Sequence, residues 1–195
     1  MKLTTLREAL IQYCSPTLEG LKTGNLFSLK TADEDIMPEI RELNGLLVKK
    51  GLRLIPLRKS CRTTLIYLYR PERLGEDLKD PEADGILRGK GYPCGNSELC
   101  LMTLIRHLRS GEAFPHEIGL FLGYPPSDVK GFMNSPSEGV QCTGCWKAYG
   151  NRCEAERIFE RYRKCTDIYC REAKKGVPLE QLAVDSRSVR RRLGA

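Results

Sequence analysis

Five of the nine cysteines in this 195-residue chain fall between positions 142 and 170: Cys142, Cys145, Cys153, Cys165 and Cys170. A Cys-x-x-Cys turn such as Cys142-Thr-Gly-Cys145 can present two thiolates to one zinc or iron ion, with further donors from Cys153 or from Cys165. The same pair can exchange thiol for disulfide where the surroundings stabilise one thiolate. The spacing lacks the second close pair that common zinc and iron–sulfur patterns contain. If residues 140–149 are extended, Cys142 and Cys145 also point to opposite faces. On a helix, five residues at about 100° each set Cys165 and Cys170 about 140° apart. His116, one of two histidines and the neighbour of Glu117, adds an imidazole that can bind a metal or haem or carry a proton. The candidate metal, cofactor or thiol site is therefore Cys142, Cys145, Cys165 and His116, with iron, zinc or haem as the cofactors such donors suit. The ordinary alternative for each cysteine is a small buried apolar group. For His116 it is capping or packing, because a helix N-terminus disfavours the imidazolium. His107 falls off the apolar stripe of its helix and is expected in solvent.

The element that must hold His116 is the stretch from Phe114 to Met133. With Gly123 as the turn, Ile118, Leu122, Val129 and Phe132 fall at the spacing of a helix-turn-helix, and small Gly119 lets the two helices approach closely. Pro125 and Pro126 suit the start of the second helix, and Asp128 places a carboxylate in its first turn. Used as a nucleic-acid reader, this pair would offer Ser127, Lys130 and Asn134 to bases, with Arg190, Arg191 and Arg192 supplying phosphate contacts. Local charge opposes that use, since residues 114–134 carry one lysine against Glu117 and Asp128. Packing is the expected role.

The same phrase, Phe114-Pro-His-Glu-Ile-Gly-Leu-Phe-Leu-Gly-Tyr-Pro125, resembles the signature of a bacterial family of unknown function, found mainly in anaerobic Gram-positive bacteria. Cys14 to Lys22, Tyr67 to Arg73, Trp146 to Tyr149 and Phe159 to Cys165 resemble further passages of it. The resemblance implies no reaction. It implies a setting in iron or low-potential electron transfer, because members are encoded beside flavodoxins and ferrous-iron transport components. A flavodoxin or another acidic redox protein is the partner this implies. The chain departs from the family pattern at Cys145, where the resemblance implies an aromatic residue.

The surrounding pattern is mixed. Leu6, Ala9, Leu10 and Tyr13 have helical spacing, and Ser15-Pro16 predicts a restart, giving two short N-terminal helices. Residues 35–50 predict a helix with Ile36, Ile40, Leu43 and Leu47 inward, closed by Gly51. Leu52 to Leu57 and Thr63 to Tyr69 predict a hairpin at the centre of a small sheet, with Pro56 confining the first strand to an edge or a bulge. Pro71 and Pro81 open short helices, and Gly85 to Gly95 predicts a flexible bridge. Leu101, Leu104, Ile105 and Leu108 stripe a helix capped by Ser97. A third strand is expected over Val140 to Tyr149. A long helix follows over Glu154 to Lys175, burying Ile158, Tyr162, Cys165 and Tyr169, and a last short helix covers Leu179 to Val184. The fold class is α+β: a small antiparallel sheet around a central hairpin, packed by several helices that include the helix-turn-helix-like pair. One domain is expected over 1–195, with a short basic tail at 186–195.

Composition sets outer limits. With 41% hydrophobic and 29% charged residues the chain can bury a core, so disorder is not the default. No run approaches about 18 apolar residues, and Arg7 and Glu8 interrupt any signal-like core, so a cytoplasmic protein without a membrane span is expected. Nine cysteines there argue for reduced thiols or metal ligands over a disulfide framework. The net charge of +7 is concentrated after position 150, a distribution suited to nucleic acid, anionic lipid or an acidic protein. Triad, phosphate-loop and dinucleotide motifs are all missing, so the enzyme reading has little support and an accessory or binding module is favoured, with a nucleic-acid-binding regulator or a thiol-dependent redox enzyme as alternatives.

Overall fold

A β-branched and aromatic run, Thr63 to Tyr69, is apolar on both faces and takes the middle of a three-stranded sheet in the computed structural model, which describes residues 5–30, 35–93, 95–111 and 113–193. In chain order the elements are α1 (Leu6–Glu19), β1 (Gly24–Lys30), α2 (Met37–Leu47), β2 (Arg53–Lys59), β3 (Thr63–Tyr69), α3 (Pro71–Asp77), α4 (Pro81–Gly89) and α5 (Ser97–Arg109). After these come α6 (Ile118–Phe121), α7 (Pro126–Asn134), β4 (Cys142–Thr143), β5 (Lys147–Ala148), α8 (Arg152–Lys174), α9 (Leu179–Leu182) and α10 (Ser186–Leu193). This is the expected α+β arrangement. The chain divides into two compact units, residues 1–72 with 164–195, and residues 73–163.

The first unit is built on the antiparallel sheet β1-β3-β2. The edge position of β2 follows from Pro56, which has no N–H to donate, and the register shifts between Pro56 and Arg58. Strand β1 was not foreseen: its Gly24-Asn25 start and single Ser28 between apolar residues give only a weak alternation. Helix α1 runs unbroken through Pro16, where two helices were expected. The missing amide falls in the last turn, which Gly20 closes in the left-handed conformation, and the neighbouring Ser15 hydroxyl donates to the Ile11 carbonyl. Leu6, Leu10, Leu18, Leu43, Leu47, Leu54, Ile66 and Leu68 form the buried core, joined by Cys165 and Tyr169 from the C-terminal half of α8. Arg70, buried at the end of β3, donates from Nε to the Thr17 carbonyl (2.9 Å), from Nη2 to Leu18 and Val184 carbonyls (2.8 Å each), and from Nη1 to Ser186 Oγ (2.9 Å). One cation thereby answers orphan carbonyls at the C-terminus of α1 and fixes the segment entering α10. The basic end expected as a tail is helical from Ser186 to Leu193.

The second unit contains α4 to α7, the β4–β5 hairpin and the N-terminal part of α8. The Asn96 side chain caps α5 by accepting from the Glu98 and Leu99 amides, so the cap lies one residue before the expected Ser97. Helix α4 continues through Gly85 to Gly89, where a flexible bridge was expected; Asp80 caps it and Ala83 and Leu87 are buried. The expected third strand at 140–149 is a tight hairpin of two-residue strands, because Gly144 allows the chain to reverse and lie against the Phe159 ring where a Cβ would collide.

Candidate functional site

Gly119 decides how α6 and α7 meet. A Cβ there would lie 2.8 Å from Val129 Cγ2, so only glycine permits the observed approach. Gly123, at φ 73°, makes the turn, and Ile118, Leu122 and Val129 are buried as their spacing required. The pair is short: α6 is a single turn of four residues.

Asp128, in the first turn of α7, is turned inward and is only 4% exposed. Its Oδ2 accepts from Trp146 Nε1 (2.7 Å), and its Oδ1 accepts from the Tyr149 and Gly150 amides (2.8 and 2.9 Å). Three donors around one carboxylate clamp the β4–β5 hairpin onto α7. The clamped Trp146 stacks on Tyr124 (centroids 4.8 Å apart) and meets Phe159 edge-on (4.6 Å). The Tyr124 hydroxyl donates to the Cys145 carbonyl (3.1 Å), and burial pushes its pKa upward, the Cys145 thiol adding to the shift.

Between the helix pair and the hairpin lies a pocket of about 390 Å³. Phe114, His116, Phe132, Tyr124, Cys145 and Trp146 are on its wall, with Gly119 and Val129 among the remaining lining residues. The His116 ring meets Phe132 edge-on at 5.0 Å, and Lys147 Nζ lies 5.7 Å from the Phe132 ring centre. Phe114, His116, Tyr124, Phe132 and Trp146 make much of the wall aromatic.

The proposed donors are dispersed unevenly. Cys145, exposed, and His116, exposed, share this pocket. Cys142 is half-buried in β4 and is not part of the pocket wall. Cys165 is buried in the core of the first unit. Among the described residues no group of three or more His, Cys, Asp or Glu is arranged to hold a metal ion. Of the nucleic-acid candidates, Ser127, Lys130 and Asn134 are exposed on α7, and Lys130 Nζ lies 3.8 Å from Glu82. Arg191 is exposed; the side chains of Arg190 and Arg192 lie outside the described residues.

Two residues carry more than their sequence context suggested. Glu117 is buried and accepts from the Tyr92 hydroxyl (2.8 Å), and His107, expected in solvent, is half-buried with Nδ1 3.6 Å from the same Glu117 oxygen. His107 also meets the Tyr92 ring edge-on at 5.0 Å. Adjacent apolar residues around Glu117 hinted at burial; nothing local pointed to its partners, 25 and 10 positions away.

Fold and pocket together define an α+β protein whose central motif builds an aromatic cavity. Residues 10–183 match the model of the DUF3793 family, described as a protein of unknown function, and the chain belongs to that family. No curated protein and no solved structure matches it. Among the described residues, no helix is long and apolar enough to cross a membrane.

Proposed function

We propose that this chain is a binding module that seats a flat, largely apolar group in the aromatic pocket, as an accessory protein of iron or redox metabolism. The observation that supports it is convergence: Phe114, His116, Tyr124 and Phe132 of the motif meet Cys145 and Trp146 of the hairpin around one cavity. Its volume, about 390 Å³, is within the usual range of small-molecule sites, roughly 300–1,000 Å³. Aromatic faces bind a planar ring system by stacking, which suits an isoalloxazine or a porphyrin edge. His116 and Cys145 are one imidazole and one thiol at the same cavity, so an iron centre there would need its remaining donors from the bound group, as a haem supplies them. Cys142 and Cys165 have no part in this reading. The net charge of +7 suits docking to an acidic redox protein such as a flavodoxin. The nucleic-acid alternative draws on the exposed Ser127, Lys130 and Asn134, and the nearby Glu82 weighs against it. A thiol-dependent redox enzyme, the other alternative, would depend on the exposed Cys145.

Trp146 is the only tryptophan of the chain and lies in the pocket wall, so its emission reports occupancy. Titration with flavin mononucleotide and with haem, under anaerobic conditions, is expected to give saturable quenching by one of the two, weakened by Phe132→Ala. Unchanged Trp146 emission with both probes up to millimolar concentration would overturn the reading.

A further inference from the structure

The Glu117 carboxylate is unusually placed for a charged group. Its side chain is 6% exposed, one oxygen (Oε1) takes the Tyr92 hydroxyl and faces His107 Nδ1 at 3.6 Å, and Oε2 accepts nothing from any described residue. Yet no side-chain oxygen or nitrogen is sealed away without a partner among the described residues, so Oε2 is reachable. Glu117 lines a second cavity of about 440 Å³, which among the described residues shares Phe114 and His116 with the aromatic pocket. Phe114, Pro115 and Met133 give this cavity apolar walls, and His107 and His116 are both on its lining with Glu117. A buried carboxylate with an unused oxygen in a partly apolar recess is stabilised by a ligand that donates N–H groups to it, most strongly by a planar amidine or guanidine.

We propose that this recess is a binding site for a small nitrogen base, an amidine, guanidine or amine, with Glu117 as the acceptor at its floor. Tyr92 holds the carboxylate by donating to Oε1, with His107 alongside, which leaves Oε2 for the incoming donor. Phe114 and Met133 cover the apolar body of the ligand. Lys90, also on the lining, gives an anionic substituent of the ligand a place to point, so a zwitterion fits both charges. The proposal does not rest on the flavin or haem reading, because Glu117 is not on the wall of the aromatic pocket and Trp146 does not line this recess.

The chain has two histidines, His107 and His116, and both line this recess, so their imidazole proton resonances are a direct readout. Benzamidine is the probe and benzoate, of the same shape and opposite charge, the control. Benzamidine is expected to shift the His107 resonances saturably while leaving Trp146 emission unchanged, and benzoate is expected to do neither. Glu117→Gln should weaken benzamidine at least about tenfold, since it removes the charge from the acceptor. Phe114→Ala, at a position 43% exposed, removes part of the apolar cover over the ligand and should weaken benzamidine severalfold; it keeps the test open should the glutamine variant not fold. Benzoate binding as tightly as benzamidine, undiminished binding to Glu117→Gln, or undiminished binding to Phe114→Ala would each overturn the proposal.

Discussion

Asp128 shows how one side chain can serve as an organiser without doing chemistry. A carboxylate in the first turn of a helix ordinarily faces solvent and offsets the positive end of the helix dipole. Here its two oxygens accept from an indole and two backbone amides, and all three donors come from the segment 146–150. Asn at this position keeps one acceptor oxygen for the amides but turns an NH₂ group toward the Trp146 N–H, so two donors face each other. Asp128→Asn is expected to cost about 2 kcal/mol of stability through the stranded indole donor and the lost charge. It should also shift Trp146 emission to longer wavelength as the ring gains water. An unchanged denaturation midpoint with unchanged emission would show that the carboxylate does not hold the hairpin. This role was invisible in the sequence, where Asp128 is only an acidic residue after Ser127; its partners lie 18 to 22 positions away and include two backbone groups.

At the level of elements, the helix pair was the most legible part of the chain and the thiol cluster the least. The pair is encoded locally: Gly119 and Gly123 carry backbone requirements, and Ile118, Leu122 and Val129 repeat at helical spacing, so a short window states the geometry. The same holds for β2 and β3, where Pro56 alone fixes the edge. Strand β1 was missed because Gly24 to Lys30 has no such constraint, and it is held by its antiparallel register with β3. Whether cysteines converge is a tertiary property that local spacing does not encode: Cys165 is buried in the core of the first unit, and Cys145 shares a pocket with His116, 29 positions earlier. The contact at Gly119 is the sharpest test of the pair. Gly119→Ala adds a methyl group 2.8 Å from Val129 Cγ2 and 3.2 Å from Tyr124 Cδ2, and is expected to destabilise by about 1–3 kcal/mol through overpacking. Val129→Ala removes the opposing methyls and should relieve much of that cost, so the double variant should be less destabilised than the two single effects together. Additive effects would place the strain elsewhere.

For the molecule as a whole, both units place tyrosines where ionisation opposes the fold, and stability should be limited on the alkaline side. Burial raises the Tyr162 hydroxyl to about 12 in the second unit. It also raises Tyr92, where the Glu117 carboxylate adds to the effect, and in the first unit it raises Tyr169, whose hydroxyl lies 2.6 Å from Glu19 Oε2. A tyrosine in the unfolded chain releases its proton near pH 10, whereas these hold theirs to higher pH in the folded state. The folded state therefore carries more bound protons above about pH 10, and by linkage its stability falls as pH rises from there through the folded values. Below that range the contribution is fully present. On the acid side the sign reverses: the Arg7 guanidinium, hydrogen-bonded to Glu180, holds that carboxyl below its usual range, so its contribution is lost as pH falls through the folded value. Urea denaturation across the alkaline range, followed together with tyrosinate absorbance, should show most of these hydroxyls ionising only as the chain unfolds, and Tyr162→Phe should flatten part of the decline. Free ionisation of all the tyrosines near pH 10 in a still-folded protein would contradict their burial.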